Sequence, residues 1–334
     1  MDKTEINQLS LPITITTSKK VKSFDGVEID CKISMPEGFK ALVILVHGSF
    51  NQDKDGNFDS NSLWMFPKEL PKRNLFIDIG NQLLKLNLGV LRYDKRASGQ
   101  SGGIYEDTDM DVLSSDLNAL IDFAHHSFSK PVFVLGQSEG AQTAIYCQQQ
   151  FNSAEGIILQ GANFGDIDQL LNHQRERAAK VFIEGNSSTI TYYPYLTALY
   201  QNMYKPDFLN LVKNSTESKA IVSVGEWSHL TNIKKYRQYG TIKIADVLKS
   251  ILIPIEIIHG TEDANCNIDF LKNEQHKFIN NQKVKINIID GLDHSFRKAT
   301  AHTPLVDSMR MPINEKYFEI LSHSVSRLLK EVVG

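Results

Sequence analysis

The five residues Gly136-Gln137-Ser138-Glu139-Gly140 set a serine between two glycines. They follow an apolar run and precede a helical period. A serine hydroxyl is a weak nucleophile near neutral pH, so attack on a carbonyl requires a histidine base, a carboxylate to orient it, and donors for the oxyanion that forms. The placement matters more than the string. A strand-to-helix turn of this kind strains the serine backbone and exposes its hydroxyl, while the flanking glycines let neighbouring backbone pass without a Cβ clash. The bland alternative is a Gly-rich turn with an ordinary serine.

Base and acid follow downstream in the order Ser, Asp, His. Asp263 lies in HGTED (residues 259–263), just past the apolar run 254–258, and His294 lies in DGLDHSF (residues 290–296), just past the run 284–289. Catalytic groups of open α/β sheets collect at the carboxyl ends of strands, so three such exits predict one site. Glu262, Asp290 and Asp293 compete with Asp263, and loop-capping is the ordinary role for any of them. His302 is the rival base. His47 and His259 read as packing residues at strand exits, and His125 and His126 as cations at a helix end.

One oxyanion donor comes with the turn itself, the backbone N–H of Glu139 at the start of the next helix. The second is expected from the loop after an earlier apolar run, where His47-Gly48-Ser49-Phe50 leaves the sheet. The N–H of Ser49 is the first choice and that of Phe50 the alternative.

The elements that must position these groups are legible as periods. Residues 13–35 alternate β-branched and polar side chains around Asp25-Gly26, a hairpin pattern. Short continuous apolar runs at 41–46, 131–136, 156–161 and 254–260 read as strands buried on both faces, with 284–290 completing the central set. Helical periods at 76–88, 110–125, 140–150, 268–279 and 315–332 lie between or after them. The alternation builds an α/β fold with a mostly parallel sheet and helices on both faces. Residues 162–250 break it. That stretch has helical character and seven of the eleven tyrosines (192, 193, 195, 200, 204, 236, 239). The expected organisation is therefore a core from residues 1–161 and 251–334, with 162–250 inserted as a helical cap.

With 334 residues, 41% hydrophobic and 22% charged, the chain has an ordinary globular composition, and a net charge of −3 supplies no reason to expect a nucleic-acid or anionic-membrane partner. Cys31, Cys147 and Cys266 are too far apart for a disulfide framework or a zinc site and read as buried thiols. The first twenty residues lack a signal-like apolar run, and no stretch has membrane-span length, so a cytoplasmic location is expected, export without an N-terminal signal aside. The acidic loop Asp53–Asp59 imitates a calcium loop but fails its register: with Asp53 first, Phe58 stands where the turn needs glycine and Trp64 where a bidentate Glu is needed. No metal is expected.

Taken together, these motifs resemble the α/β-hydrolase superfamily over nearly the whole chain. HGSFNQDKDGN (His47–Asn57), YDKRASGQS (Tyr93–Ser101) and GQSEGA are similar to the HGSGPxDRDG, YDKRGxGxS and GHSEGG of bacterial serine esterases. Phe50 and Asn51 depart from Gly and Pro, Gln137 from His, and Ala97 and Ala141 from Gly. Phe50 is expected to narrow the acyl site. The resemblance implies a cofactor-free carboxylesterase with an acyl-enzyme mechanism, Ser138, Asp263 and His294 as triad, and a small-molecule ester or thioester as partner. Acyl-thioesterase, lipase and aminopeptidase follow as alternatives, and a non-catalytic binding protein of the same fold comes last. Substrate contacts are expected from Phe50 and from Tyr192, Tyr193, Tyr195 and Tyr200 of the cap.

Overall fold

The computed structural model describes residues 12–59, 71–179, 206–224, 227–298 and 305–334. The opening hairpin forms strands β1 (Thr14–Lys22) and β2 (Glu28–Pro36), paired antiparallel. The apolar runs become β3 (Leu42–Val46), β5 (Val132–Gln137), β6 (Gly156–Gln160) and β9 (Ile255–Gly260), each buried along its whole length. The eight-stranded sheet also takes in β4 (Gly89–Tyr93) and β10 (Val284–Ile289), in the order β1-β2-β4-β3-β5-β6-β9-β10. From β4 to β10 all neighbours run parallel. Every loop that leaves a carboxyl end of those strands therefore emerges on one side.

Alternate residues of the buried strands feed two separate cores. Ile44, Val46, Val134, Ile157 and Leu159 pack on one face with helices α2 (Met110–Phe128) and α3 (Glu139–Phe151). Val43, Leu45, Phe133, Leu135 and Ile158 pack on the other, against α1 (Leu75–Lys85) and the C-terminal helix (Glu315–Val332). Such two-sided burial is what a parallel sheet requires. Side-chain caps start the long helices: Asp109 accepts the N–H of Val112, and Asn314 that of Lys316.

Two expectations need correction. Strand β10 is not central but lies at the sheet edge, with only its ends buried. Its apolar residues Ile286 and Ile288 gave a core-like run, yet Ile288 is 43% exposed. The stretch after β6 is also not purely helical. Besides α4 (Ile167–Ala179), α5 (Pro206–Asn214), α6 (Ile233–Thr241) and α7 (Ile244–Leu248), it holds an antiparallel hairpin of β7 (Lys219–Val224) and β8 (Trp227–Asn232). Its own core gathers Ile167, Leu171, Phe208, Val212, Val222 and Ile233. Phe208 thus belongs to that core. After β9 come α8 (Ile268–Glu274), α9 (Leu305–Arg310) and α10, the C-terminal helix already described. Among the described residues no helix is long and apolar enough to cross a membrane.

Candidate active site

Ser138 sits between β5 and α3 with φ 57° and ψ −118°, a conformation that L-residues rarely hold without surrounding constraint. The constraint is visible on both sides. A Cβ on Gly136 would stand 2.3 Å from the carbonyl oxygen of Gly140, and one on Gly140 would stand 2.3 Å from that of Val46. No side chain fits either place. The N–H of Ser138 is held by the Gln160 carbonyl at 2.9 Å.

His294, in the loop after β10, directs Nδ1 to Asp263 Oδ2 at 2.7 Å. Asp263 is buried in the loop after β9, and its other oxygen accepts the N–H groups of Asn265 and Cys266 at 2.9 and 2.8 Å. Burial pushes the Asp263 carboxyl up, but His294, His259 and the backbone donors outweigh it and leave the group below its ordinary value. Nδ1 of His294 therefore faces a carboxylate, and Nε2 is the nitrogen left to face the cavity.

The rivals have other work. Asp293 Oδ1 accepts the N–H of Ser295 and of Arg297, each at 2.8 Å, and its Oδ2 accepts the Ser308 hydroxyl, so it caps its own loop. Asp290 accepts the Thr261 hydroxyl at 3.1 Å. His47 is packed against Phe76 and Tyr93, and burial drives its imidazole down to about 3, so it is neutral. His302 lies outside the described residues.

A cavity opens over the carboxyl ends of the strands and is lined by Ser49, Phe50, Ser138, Glu139 and His294. Asp263 stands behind His294. On the far side the lining comes from α4 (Ile167, Leu170, Leu171, Gln174), β8 (Leu230, Thr231, Asn232) and α6 (Lys235, Tyr236, Tyr239). Tyr192, Tyr193, Tyr195 and Tyr200 lie outside the described residues. Phe50 turns with φ 67° and packs near Phe58, ring centroids 6.3 Å apart. Ala97 also has positive φ, 61°. At both places the esterase motif carries glycine, the residue that adopts this region without penalty.

Three contributors were not anticipated from the sequence. Cys266 lines the cavity together with Ser138. Burial and the Asp263 charge push the Cys266 thiol far up, so it is neutral. The ligand atoms of Asp263, Cys266 and His294 lie within 4.8 Å of one another. Gly161, with φ 51°, makes room for the pair: a Cβ there would meet His294 Nδ1 at 2.9 Å and Asp263 Oδ2 at 3.0 Å. Lys95, after β4, joins Glu139 in a buried cluster that Lys235 and Tyr239 of α6 complete. A signal for Cys266 existed in its place three residues after Asp263. Gly161 and Lys95 reach the site only through strand order.

The acidic loop is held by protein groups. Asp53 Oδ1 accepts the N–H of Asp55 and Asn57, each at 2.9 Å, Arg92 pairs with Asp55, and Lys54 pairs with Asp94 at 3.1 Å.

Comparison with known proteins agrees with this architecture. No curated protein matches the sequence significantly. Among solved structures, an esterase of Pyrococcus furiosus superposes with a TM-score of 0.57 at 17% identity, over 96% of this chain and 92% of that one. Est1E from Butyrivibrio proteoclasticus, solved with ferulic acid bound, gives 0.56 at 16% identity over 94% and 99%. The α/β hydrolase GrgF from Penicillium sp. sh18 gives 0.59 at 14% identity over 96% and 100%. At these identities the likeness establishes the fold. The sequence model of the serine aminopeptidase S33 family matches residues 73–298, more than half of the chain and including Ser138, Asp263 and His294, so this chain belongs to that family of α/β hydrolases.

Proposed function

We propose that the protein is a serine hydrolase that cleaves a carboxylic ester through an acyl-enzyme intermediate. The observation that carries the reading is the strained Ser138 turn, opening into the cavity that also contains His294, itself paired with Asp263. His294 takes the proton of Ser138 as the hydroxyl oxygen attacks the carbonyl carbon. The N–H groups of Ser49 and Glu139 hold the oxyanion, aided by the positive end of the α3 dipole. Collapse of the tetrahedral intermediate breaks the bond to the leaving oxygen, which receives the proton back from His294. Water, deprotonated by the same imidazole, then releases the acid and frees Ser138.

The stretch between β6 and β9 acts as the cap of this site. Its apolar contribution, Ile167, Leu170 and Leu171 of α4, faces the acyl group together with Phe50 and Phe58. The neighbours include esterases, and that favours an ester substrate.

A peptide with a free amino terminus is the second substrate class, favoured by the matched family and by Glu106. Among the described lining residues the carboxylates are Glu106 and Glu139, and Glu139 is already paired with two lysines. Glu106 is then the group to meet an ammonium. The test is a panel of p-nitrophenyl esters, acyl-thioesters and aminoacyl anilides, run on wild type and Ser138→Ala, with a fluorophosphonate label read by mass spectrometry. One label on Ser138 and ester turnover lost in Ser138→Ala are expected. Labelling elsewhere, or turnover that survives, overturns the mechanism.

A further inference from the structure

We propose that Lys95 is a positioning residue that locks the two backbone donors of the oxyanion hole to each other. The inference rests on the reading of Ser49 and Glu139 as those donors. Lys95 leaves the carboxyl end of β4 and is 2% exposed. An ammonium has three N–H bonds, and here three acceptors meet them: the Gly48 carbonyl at 2.8 Å, the Phe50 carbonyl at 3.1 Å and Glu139 Oε1.

The consequence follows from peptide geometry. The Gly48 carbonyl and the Ser49 N–H belong to one planar trans unit and point in opposite directions. A donor that grips the oxygen therefore aims the N–H on the other side. The grip on the Phe50 carbonyl holds the unit two further on, Phe50–Asn51, beyond a φ of 67° that a phenylalanine does not favour alone. Through its third bond the same nitrogen holds the side chain of Glu139, the first residue of α3. One cation thus ties the loop after β3 to the helix after β5. It also polarises the peptide whose N–H faces the oxyanion, because hydrogen bonds in series strengthen one another in a buried setting.

A simpler role, neutralising Glu139, does not account for the arrangement. Lys235 already stands 2.7 Å from Glu139 Oε2, and the Tyr239 hydroxyl donates to the same oxygen. The two carbonyl bonds of Lys95 do nothing for Glu139. They serve the loop.

Lys95 also gives the arrangement a titration. The groups around it are Glu139 of α3, Lys235 and Tyr239 of α6, Tyr105 beside the cavity, and neutral His47 after β3. Burial lowers its ammonium to about 8, against the pull of Glu139. Loss of the proton leaves two N–H bonds for three acceptors.

The experiment is steady-state kinetics on a p-nitrophenyl ester, with inhibition by an aryl boronic acid that forms a tetrahedral adduct on Ser138, across pH 6–10 for wild type, Lys95→Met and Lys95→Arg. Lys95→Met is expected to lose on the order of 10²-fold in kcat with KM little changed, and boronate affinity should fall by a similar factor. Lys95→Arg, which keeps its charge, should recover part of kcat and lose the alkaline limb expected of wild type near pH 8. Wild-type kcat in Lys95→Met, or a loss confined to KM, overturns the proposal. Should Lys95→Met fail to fold, an alkaline limb unchanged in Lys95→Arg overturns it instead. Absence of ester turnover and of a Ser138 label in wild type is a separate failure, that of the parent reading, and removes this one with it.

Discussion

His294 Nδ1 stands 2.7 Å from Asp263 Oδ2 although the two residues belong to different loops. The sheet makes the meeting: β9 and β10 are parallel neighbours, and Ile289 at the end of one pairs with Gly260 at the end of the other. Both loops therefore start at the same level. Asp263→Asn should keep the fold and lower kcat by about 10⁴-fold, because an amide lets the imidazole settle in the wrong tautomer. Steady-state kinetics beside a far-UV spectrum checks it, and damage from Asp293→Asn with none from Asp263→Asn would point to the other carboxylate.

Asp263 also predicts a pH dependence of stability. Its folded value is depressed, so the stabilising term is fully present above the ordinary ~3.9 of an unfolded aspartate and is lost as pH falls through the lower folded value. Urea midpoints of wild type and Asp263→Asn should differ above pH 4 and converge in stronger acid.

His47 acts in a higher window. The folded imidazole resists protonation down to about 3, so the unfolded chain binds the extra proton first. Stability is complete above ~6.5 and declines as pH falls from there toward 3. Replacing His47 by Gln should flatten that slope, and an identical slope in the variant would assign it to other groups.

Gly161→Ala tests the space behind the imidazole. The new methyl meets His294 Nδ1 at 2.9 Å at a residue with φ 51°, and left-handed backbone costs an L-residue about 1–2 kcal/mol. Denaturant titration should report a loss of that order or larger. Turnover should fall further than stability alone explains.

The α4 wall should grade acyl chains. Ile167→Val and Leu170→Ala enlarge the cavity lining, and apolar pocket contacts discriminate by only ~1–3 kcal/mol per methylene. A shift of the kcat/KM optimum to longer acyl chains is expected, with Ser138 labelled at the wild-type stoichiometry. Chain-length profiles indifferent to both substitutions would remove α4 from the acyl site.

Much of this was legible because Ser138, Asp263 and His294 each follow an apolar run that can only be a strand, and parallel strands put their exits together. Spacing does not report which strands are neighbours. Lys95 reaches Gly48 because β4 lies beside β3, and Gly161 reaches Asp263 because β6 lies beside β9, with His294 brought in from β10 one strand further on. Strand β10 misled because its isoleucines imitate a buried run, although at the sheet edge only the strand's two ends are buried. The β7–β8 hairpin was hidden by polar strands such as WSHLTN, which carry little apolar periodicity.

The placement of α4 to α7 between β6 and β9 has a consequence for how this protein can diverge. These strands pair directly, Ile157 with Ile255, so everything from Gln160 to Ile255 is one elongated crossover. Closing a longer loop costs only ~0.6 kcal/mol for each doubling, so growth from a minimal crossover of a dozen residues to this one, about three doublings, costs the sheet ~2 kcal/mol. Length in this crossover is thus nearly free to drift, whereas the contacts of Lys235 and Tyr239 on Glu139 are not. Descendants of such a chain can exchange most of the crossover and still inherit the floor of the cavity, provided one short helix continues to land on that glutamate.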